Sequence, residues 1–175
     1  MIKVTVFARF KTCMGDVNLI DVLSDIRNGK YATSINRIRA CMDKGDLEAA
    51  DMQKKALPAI TISATYRGQR LVEYMTAYNP LIILDFDDLK KEDLPHLLAL
   101  VREAVYTVAC WISPRGHGIK VIVYPVVGLE LVPQSHPAIY KRVKDWYQRL
   151  LGTKADTSGS DAGSLCIVSY DPQLY

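Results

Sequence analysis

The chain has 175 residues, of which 49% are hydrophobic and 23% are charged, and its formal net charge is +3. This length suits one domain with a sizeable core, and the composition excludes an intrinsically disordered chain. The start MIKVTVFARF lacks the apolar core of a signal peptide, and no apolar run approaches the roughly 20 residues of a membrane helix. We therefore expect one cytoplasmic domain, residues 1–175, without a membrane partner.

The first part of the chain predicts one strand, three helices and a second strand. IKVTVFARF alternates and is rich in β-branched residues, which is typical of a strand. Helical spacing over residues 17–56 predicts three helices, with Gly29 ending the first and Asp46 capping the third. Thr33 or Ser34 is the expected N-cap of the second helix. AITISATY then reads as a strand, followed by the loop RGQR.

The second part predicts alternating strands and helices. LIILDFDD is a strand, and KKEDLPHLLALVREAVY is a helix with an apolar face. TVACWIS and GIKVIVYPVV are expected to pair as antiparallel strands around the turn PRGHG. SHPAIYKRVKDWYQRLLG is a helix with Ser135 as N-cap and Gly152 beyond its end, and SLCIVSY is the last strand. This order predicts an α/β or α+β domain with a mixed β-sheet and flanking helices.

Three carboxylates stand at the end of the strand LIILDFDD. Side chains alternate along a strand, so Asp85 and Asp87 share one face and lie about 6–7 Å apart. Two such carboxylates can hold Mg²⁺ or Mn²⁺, which prefer oxygen ligands and promote phosphoryl transfer. The alternative is that Asp87 or Asp88 caps the helix that begins near residue 91.

The segment SPRGHGIK, residues 113–120, is the second candidate site. Gly116 and Gly118 allow a phosphate to approach the backbone, and Arg115 and Lys120 supply positive charge. A lysine within such an apolar strand pattern needs a partner. The alternative is an ordinary turn with exposed Arg115 and His117.

Two further loops carry charged residues. Asp156 and Asp161 precede the last strand in a Ser- and Gly-rich loop, and either could add a third carboxylate to the earlier pair. Arg67 and Arg70 in TYRGQR could neutralise nucleotide or template phosphates. Polar turns and solvated arginines are the alternatives.

In their order, these motifs resemble the archaeo-eukaryotic primase superfamily of primases and primase-polymerases. The chain most closely resembles the VirE-like amino-terminal domains of mobile-element proteins, which often precede a helicase-type ATPase. ALPAITISATY, LIILDFDDL, SPRGHGIKVIV and IVSYDP carry the resemblance. It implies a primase-polymerase-like fold with an RRM-like catalytic core and a role in DNA replication. It also implies the amino-terminal module of a longer protein, with a helicase in the same chain or operon.

The resemblance also assigns roles to residues. It makes Asp85 and Asp87 ligands of divalent metals, and Asp156 the third carboxylate, with Asp161 as its competitor. Lys120 occupies the place of a histidine that contacts nucleotide phosphate in the superfamily. Before the last strand, Ser164 stands where the VirE-like domains have an arginine.

Together these observations predict a metal-dependent nucleotidyltransferase that uses nucleoside triphosphates and a single-stranded DNA template. The triphosphate ligands would be Ser113, Arg115, Gly116, Gly118 and Lys120, and the template ligands would be Arg67 and Arg70. The departures at Lys120 and Ser164 favour an alternative, an inactive nucleotide- or nucleic-acid-binding module that serves a linked helicase. A structural or interaction domain is the second alternative.

Overall fold

The structure is a computed structural model that describes residues 1–126 and 128–175. Within these ranges the strands are β1 Lys3–Ala8, β2 Thr12–Asn18, β3 Ala59–Thr61, β4 Ala64–Tyr66, β5 Met75–Tyr78, β6 Ile82–Phe86, β7 Thr107–Ile112, β8 Ile119–Val123 and β9 Leu165–Ile167. The α-helices are α1 Leu19–Asn28, α2 Ala32–Asp43, α3 Leu47–Ala56, α4 Leu94–Glu103 and α5 His136–Leu151. The predicted strand GIKVIVYPVV ends at Val123 in the structure, and its last residue, Val127, lies outside the described residues.

The strands form three sheets within the described ranges, and their pairings are antiparallel. One sheet has the order β2-β1-β3-β9, the second consists of β4 and β5, and the third has the order β6-β8-β7. The α+β class is therefore confirmed, whereas the prediction of a mixed sheet was wrong. The predicted strand AITISATY is split into β3 and β4, which belong to different sheets, and β2 and β5 were not predicted.

Helix ends follow local chemistry in part. Gly29 ends α1 with φ 86°, and the Asp46 carboxylate accepts a hydrogen bond from a backbone N–H in the first turn of α3, both as predicted. The prediction of Thr33 or Ser34 as a cap was wrong, because α2 already begins at Ala32.

The β6-β8-β7 sheet is buried on both faces. One face, which includes Leu84 and Phe86 of β6, packs against α4 and α5. The other face, which includes Ile83 and Ile122, joins a second core with helices α1 and α2 and strands β1 and β3. Burial on both faces explains the continuous apolar runs of β6 and β8. No described helix is long and apolar enough to span a membrane.

Candidate nucleotide and metal site

Asp85 and Asp87, called here the acid pair, stand at the carboxyl end of β6. Asp85 lies within the strand on the face of Ile83, and Asp87 follows the last strand residue directly. Asp88 leaves the strand direction with φ 55° and is exposed. The capping alternative for Asp87 and Asp88 was wrong, because α4 begins only at Leu94.

Lys120 lies directly opposite Asp85 in the β6–β8 register and forms an ion pair with its Oδ2 atom. The two side chains are only 5% and 18% exposed, respectively. Burial acts to lower the pKa of Lys120, but the charge of Asp85 and its hydrogen bond outweigh burial, so the pKa is raised. Lys120 is therefore a buried ammonium in the middle of a strand, which explains its place in an apolar pattern.

The acid pair has unused capacity for a cation. The Oδ1 atom of Asp85 is buried and has no hydrogen-bond partner among the described residues. Burial, and then the charge of Asp85, raise the pKa of Asp87. Crowded carboxylates of this kind repel each other, so a bound cation would relieve both the repulsion and the missing contact.

The turn between β7 and β8 lies against the acid pair. Ser113 donates its N–H to the carbonyl of Gly118 at 2.9 Å, and Gly116 donates to the carbonyl of Ser113 at 3.0 Å with φ 80°. A Cβ on Gly118 would meet the Phe86 oxygen at 2.5 Å, the Ser113 Oγ at 3.0 Å and an Asp87 oxygen at 3.1 Å. Glycine at position 118 therefore lets the turn approach the acid pair, and the buried Ser113 hydroxyl has no partner in the described chain.

Lys54 of α3 is a site residue that the sequence analysis missed. Burial lowers its pKa, as do the charges of Lys120 and Arg115, while Asp87 and Asp85 oppose that change. Lys54 therefore faces the acid pair from a second element. Ala50, one helical turn earlier, is buried, so Lys54 lies towards the inward side of α3, and this packing has no signal in the local sequence.

The segment forms the ordinary turn of the alternative, but Arg115 and His117 are not fully exposed in it. Both are only partly exposed, and the Arg115 guanidinium forms an ion pair with Asp51 of α3 at 2.5 Å. The His117 carbonyl accepts the Leu89 N–H at 2.8 Å, which ties the turn to the segment after the acid pair.

Asp156, rather than Asp161, lies beside the acid pair. Its N–H donates to the Asp85 carbonyl at 2.8 Å, and the Tyr140 hydroxyl donates to the Asp156 carbonyl. The Asp156 side chain is exposed and accepts the Ser158 N–H at 3.1 Å. Ser164, where an arginine was expected, donates its hydroxyl to the Ser158 carbonyl and so closes this loop.

Asp161 and Arg70 belong to a separate corner. Together with Tyr66 and His136 they line a cavity of about 220 Å³. Arg70 donates to the Gly163 carbonyl at 2.8 Å, and Gly163 donates to the Asp161 carboxylate at 2.6 Å. Burial, followed by the charge of Asp161, raises the pKa of Tyr66 to about 12.

Arg67 is exposed in the loop after β4. No contact of its side chain with the acid pair is seen in the described chain. Its suggested template contact stays a prediction.

The segment SYDP holds the end of β7. The buried Ser169 hydroxyl donates to the Ile112 carbonyl at 2.7 Å, and the buried Asp171 carboxylate accepts the Ile112 N–H at 2.9 Å. Beyond it, Cys110 and Tyr175 exchange two backbone hydrogen bonds of 3.1 Å each. The last residues of the sequence therefore fix the strand that leads into the turn.

The residues present fit one divalent cation held by the acid pair. Asp85 offers its unpartnered Oδ1, and Asp87 offers a carboxylate whose ionisation is disfavoured without a cation. Among the described residues no group of three or more carboxylate, histidine or cysteine side chains could hold a metal, and the role of Asp156 as a third ligand stays a prediction. Mg²⁺ commonly takes one or two carboxylates and completes its shell with substrate phosphates and water.

The fold and the site define an α+β domain in which a strand-end acid pair lies near a buried lysine, a half-buried lysine and a glycine turn. The chain belongs to the family described as BT4734-like, N-terminal domain, whose sequence model matches residues 52–175. That range includes the acid pair, Lys54, Lys120, the turn and Asp156. No curated protein and no solved structure matches the chain.

Proposed function

We propose that this domain is a metal-dependent nucleotidyltransferase of the primase-polymerase kind. One observation carries the proposal. At the end of β6, the acid pair lies near buried Lys120, half-buried Lys54 and the glycine turn between β7 and β8. Carboxylates alone would suit many cations, and lysines alone would suit many anions. Both together suit a nucleoside triphosphate with its divalent ion.

Each residue has a role that follows from its position. The acid pair would hold Mg²⁺ or Mn²⁺, which supplies activation of the attacking hydroxyl and charge neutralisation at the triphosphate. Lys54 and Lys120 would neutralise phosphate oxygens, since an ammonium has three donors. The Ser113 hydroxyl and an Asp87 oxygen lie 3.0 and 3.1 Å from the point that a Cβ on Gly118 would occupy, so this hydroxyl would help to orient the same phosphates.

A non-catalytic relative is the second candidate, and one observation favours it. Lys120 already engages one oxygen of Asp85, and no third carboxylate joins the acid pair in the part of the chain that the structure describes. Such a site could bind nucleotide without transferring it. The roles in mobile-element replication and beside a helicase follow from the resemblance and belong to either candidate.

Isothermal titration calorimetry with Mn²⁺ tests the site. The wild type is compared with Asp85→Asn, Asp87→Asn and the matched control Asp88→Asn, each with and without a nonhydrolysable nucleoside triphosphate. We expect binding by the wild type and by Asp88→Asn, strengthened by nucleotide, and its loss in the other two variants. Equal binding by all four proteins would contradict the metal site.

Template-directed incorporation then separates the two candidates. A primed and an unprimed single-stranded template are incubated with labelled nucleotides and Mn²⁺, and extension is read on a gel. Extension that Asp87→Asn abolishes supports the transferase. Metal and nucleotide binding without any extension supports the non-catalytic module.

A further inference from the structure

A second basic site lies next to the turn and is called here the arginine groove. It is a cavity of about 450 Å³ between α2 and α4, with the turn and the last residues of the sequence at one end. Its lining residues are Arg39, Asp43, Lys91, Leu94, Pro95, Leu98, Arg102, Ile112, Arg115, Gly116 and Gln173. The lining thus contains four cations, one carboxylate and an apolar floor.

The three arginines of the groove have unused hydrogen-bonding capacity. The Nε atoms of Arg39, Arg102 and Arg115 are buried and have no hydrogen-bond partner among the described residues. Together with Lys91, these arginines give the groove more cations than carboxylates, which suits an anionic ligand with several acceptor oxygens.

Other contacts hold these guanidinium groups in place. Arg39 donates to the carbonyl oxygens of Tyr170 at 2.9 Å and Ser113 at 3.3 Å. Arg102 donates to the Gln173 carbonyl at 2.8 Å. The groove is therefore built before a ligand arrives, which lowers the entropic cost of binding.

The groove shares the turn between β7 and β8 with the nucleotide and metal site. Arg115 belongs to both, since it lines the groove and its charge acts on Lys54 beside the acid pair. Arg39 side-chain atoms lie 3.4 Å from the point that a Cβ on Gly116 would occupy. An extended ligand in the groove would thus end at the turn that faces the acid pair.

We infer that the arginine groove binds the sugar–phosphate backbone of a single-stranded nucleic acid. Four cations, on two helices, the segment before α4 and the turn, suit successive phosphates better than one small anion, and the apolar lining suits unpaired bases or sugars. The inference deepens the proposed function, since it rests on that function for the direction of the strand towards the acid pair. Binding to the groove itself needs neither metal nor nucleotide.

Fluorescence anisotropy of a labelled oligothymidylate, without metal or nucleotide, tests the groove. Lys91→Glu is compared with Lys141→Glu, because each lysine is an exposed partner of one aspartate, at 2.5 Å from Asp43 and 2.6 Å from Asp145. We expect Lys91→Glu to weaken binding about tenfold and to reduce the salt slope by about 0.7 to 1, and Lys141→Glu to change neither. Asp43→Asn, which removes the groove's carboxylate, should tighten binding.

Three results would overturn the inference. Equal weakening by both lysine variants would show that only overall charge matters. Tight binding of a duplex of the same sequence, or displacement of the strand by an equimolar amount of inorganic triphosphate, would show a different ligand. The variant Asp85→Asn separates this test from the test of the proposed function. It should lose Mn²⁺ binding but bind the oligothymidylate as the wild type does.

Discussion

Replacing Lys120 with methionine should lower the free energy of unfolding, because it breaks the buried ion pair with Asp85. Methionine keeps the apolar stem but removes the charge, and it leaves the Asp85 carboxylate 18% exposed and without its cation. Breaking a buried pair by removing one partner costs about 3–5 kcal/mol. The residual exposure of Asp85 places the expected loss near the lower end, at about 3 kcal/mol.

Urea denaturation measures this loss. With a slope of about 2 kcal/mol per molar urea, a loss of about 3 kcal/mol lowers the midpoint by about 1.5 M. The double variant Asp85→Asn/Lys120→Met should lie within about 1 kcal/mol of the wild type, because a neutral pair carries no uncompensated charge. The control Lys141→Met removes an exposed ion pair and should cost less than about 1 kcal/mol. A double variant as unstable as Lys120→Met alone would refute the reasoning.

Three further outcomes can be checked by urea denaturation at several pH values. Burial and the charge of Asp85 raise the pKa of Asp87 in the folded chain, so the contribution of Asp87 to the free energy of unfolding falls as pH rises above about 4. Asp87→Asn should therefore stabilise the chain at neutral pH but not at pH 3. Burial lowers the pKa of His136, so stability should drop as pH falls below about 6.5, and His136→Gln should flatten that drop. Gly118→Ala, whose Cβ would lie 2.5 Å from the Phe86 oxygen, should cost about 2 kcal/mol at every pH and weaken Mn²⁺ binding.

Strong local patterns were sufficient to predict most of the elements. The apolar run of β6, the spacing of α5 and the turn between β7 and β8 all appear where periodicity places them. The break between β3 and β4 escaped prediction, because Ile62 and Ser63 look like strand residues. Their direction is set by a change of sheet, which depends on distant partners.

The candidate site was predictable only where its parts lie close in sequence. The spacing of Asp85 and Asp87 sufficed to place both at one strand end. The ion pair of Asp85 with Lys120 depends on the β6–β8 register, and the approach of Lys54 depends on the packing of α3. Neither contact has a local signature, so both had to come from the structure.

The hydrogen bonds of Ser169 and Asp171 to the Ile112 backbone affect the order in which the domain folds. These contacts join residues that are 57 and 59 positions apart, and closing such separations slows folding. During synthesis the acid pair leaves the ribosome long before the residues that hold the end of β7. An emerging chain therefore holds its carboxylates and lysines in an unfinished arrangement until residue 171 is free to fold. Mn²⁺ binding at the proposed site should therefore appear late and abruptly as the nascent chain lengthens.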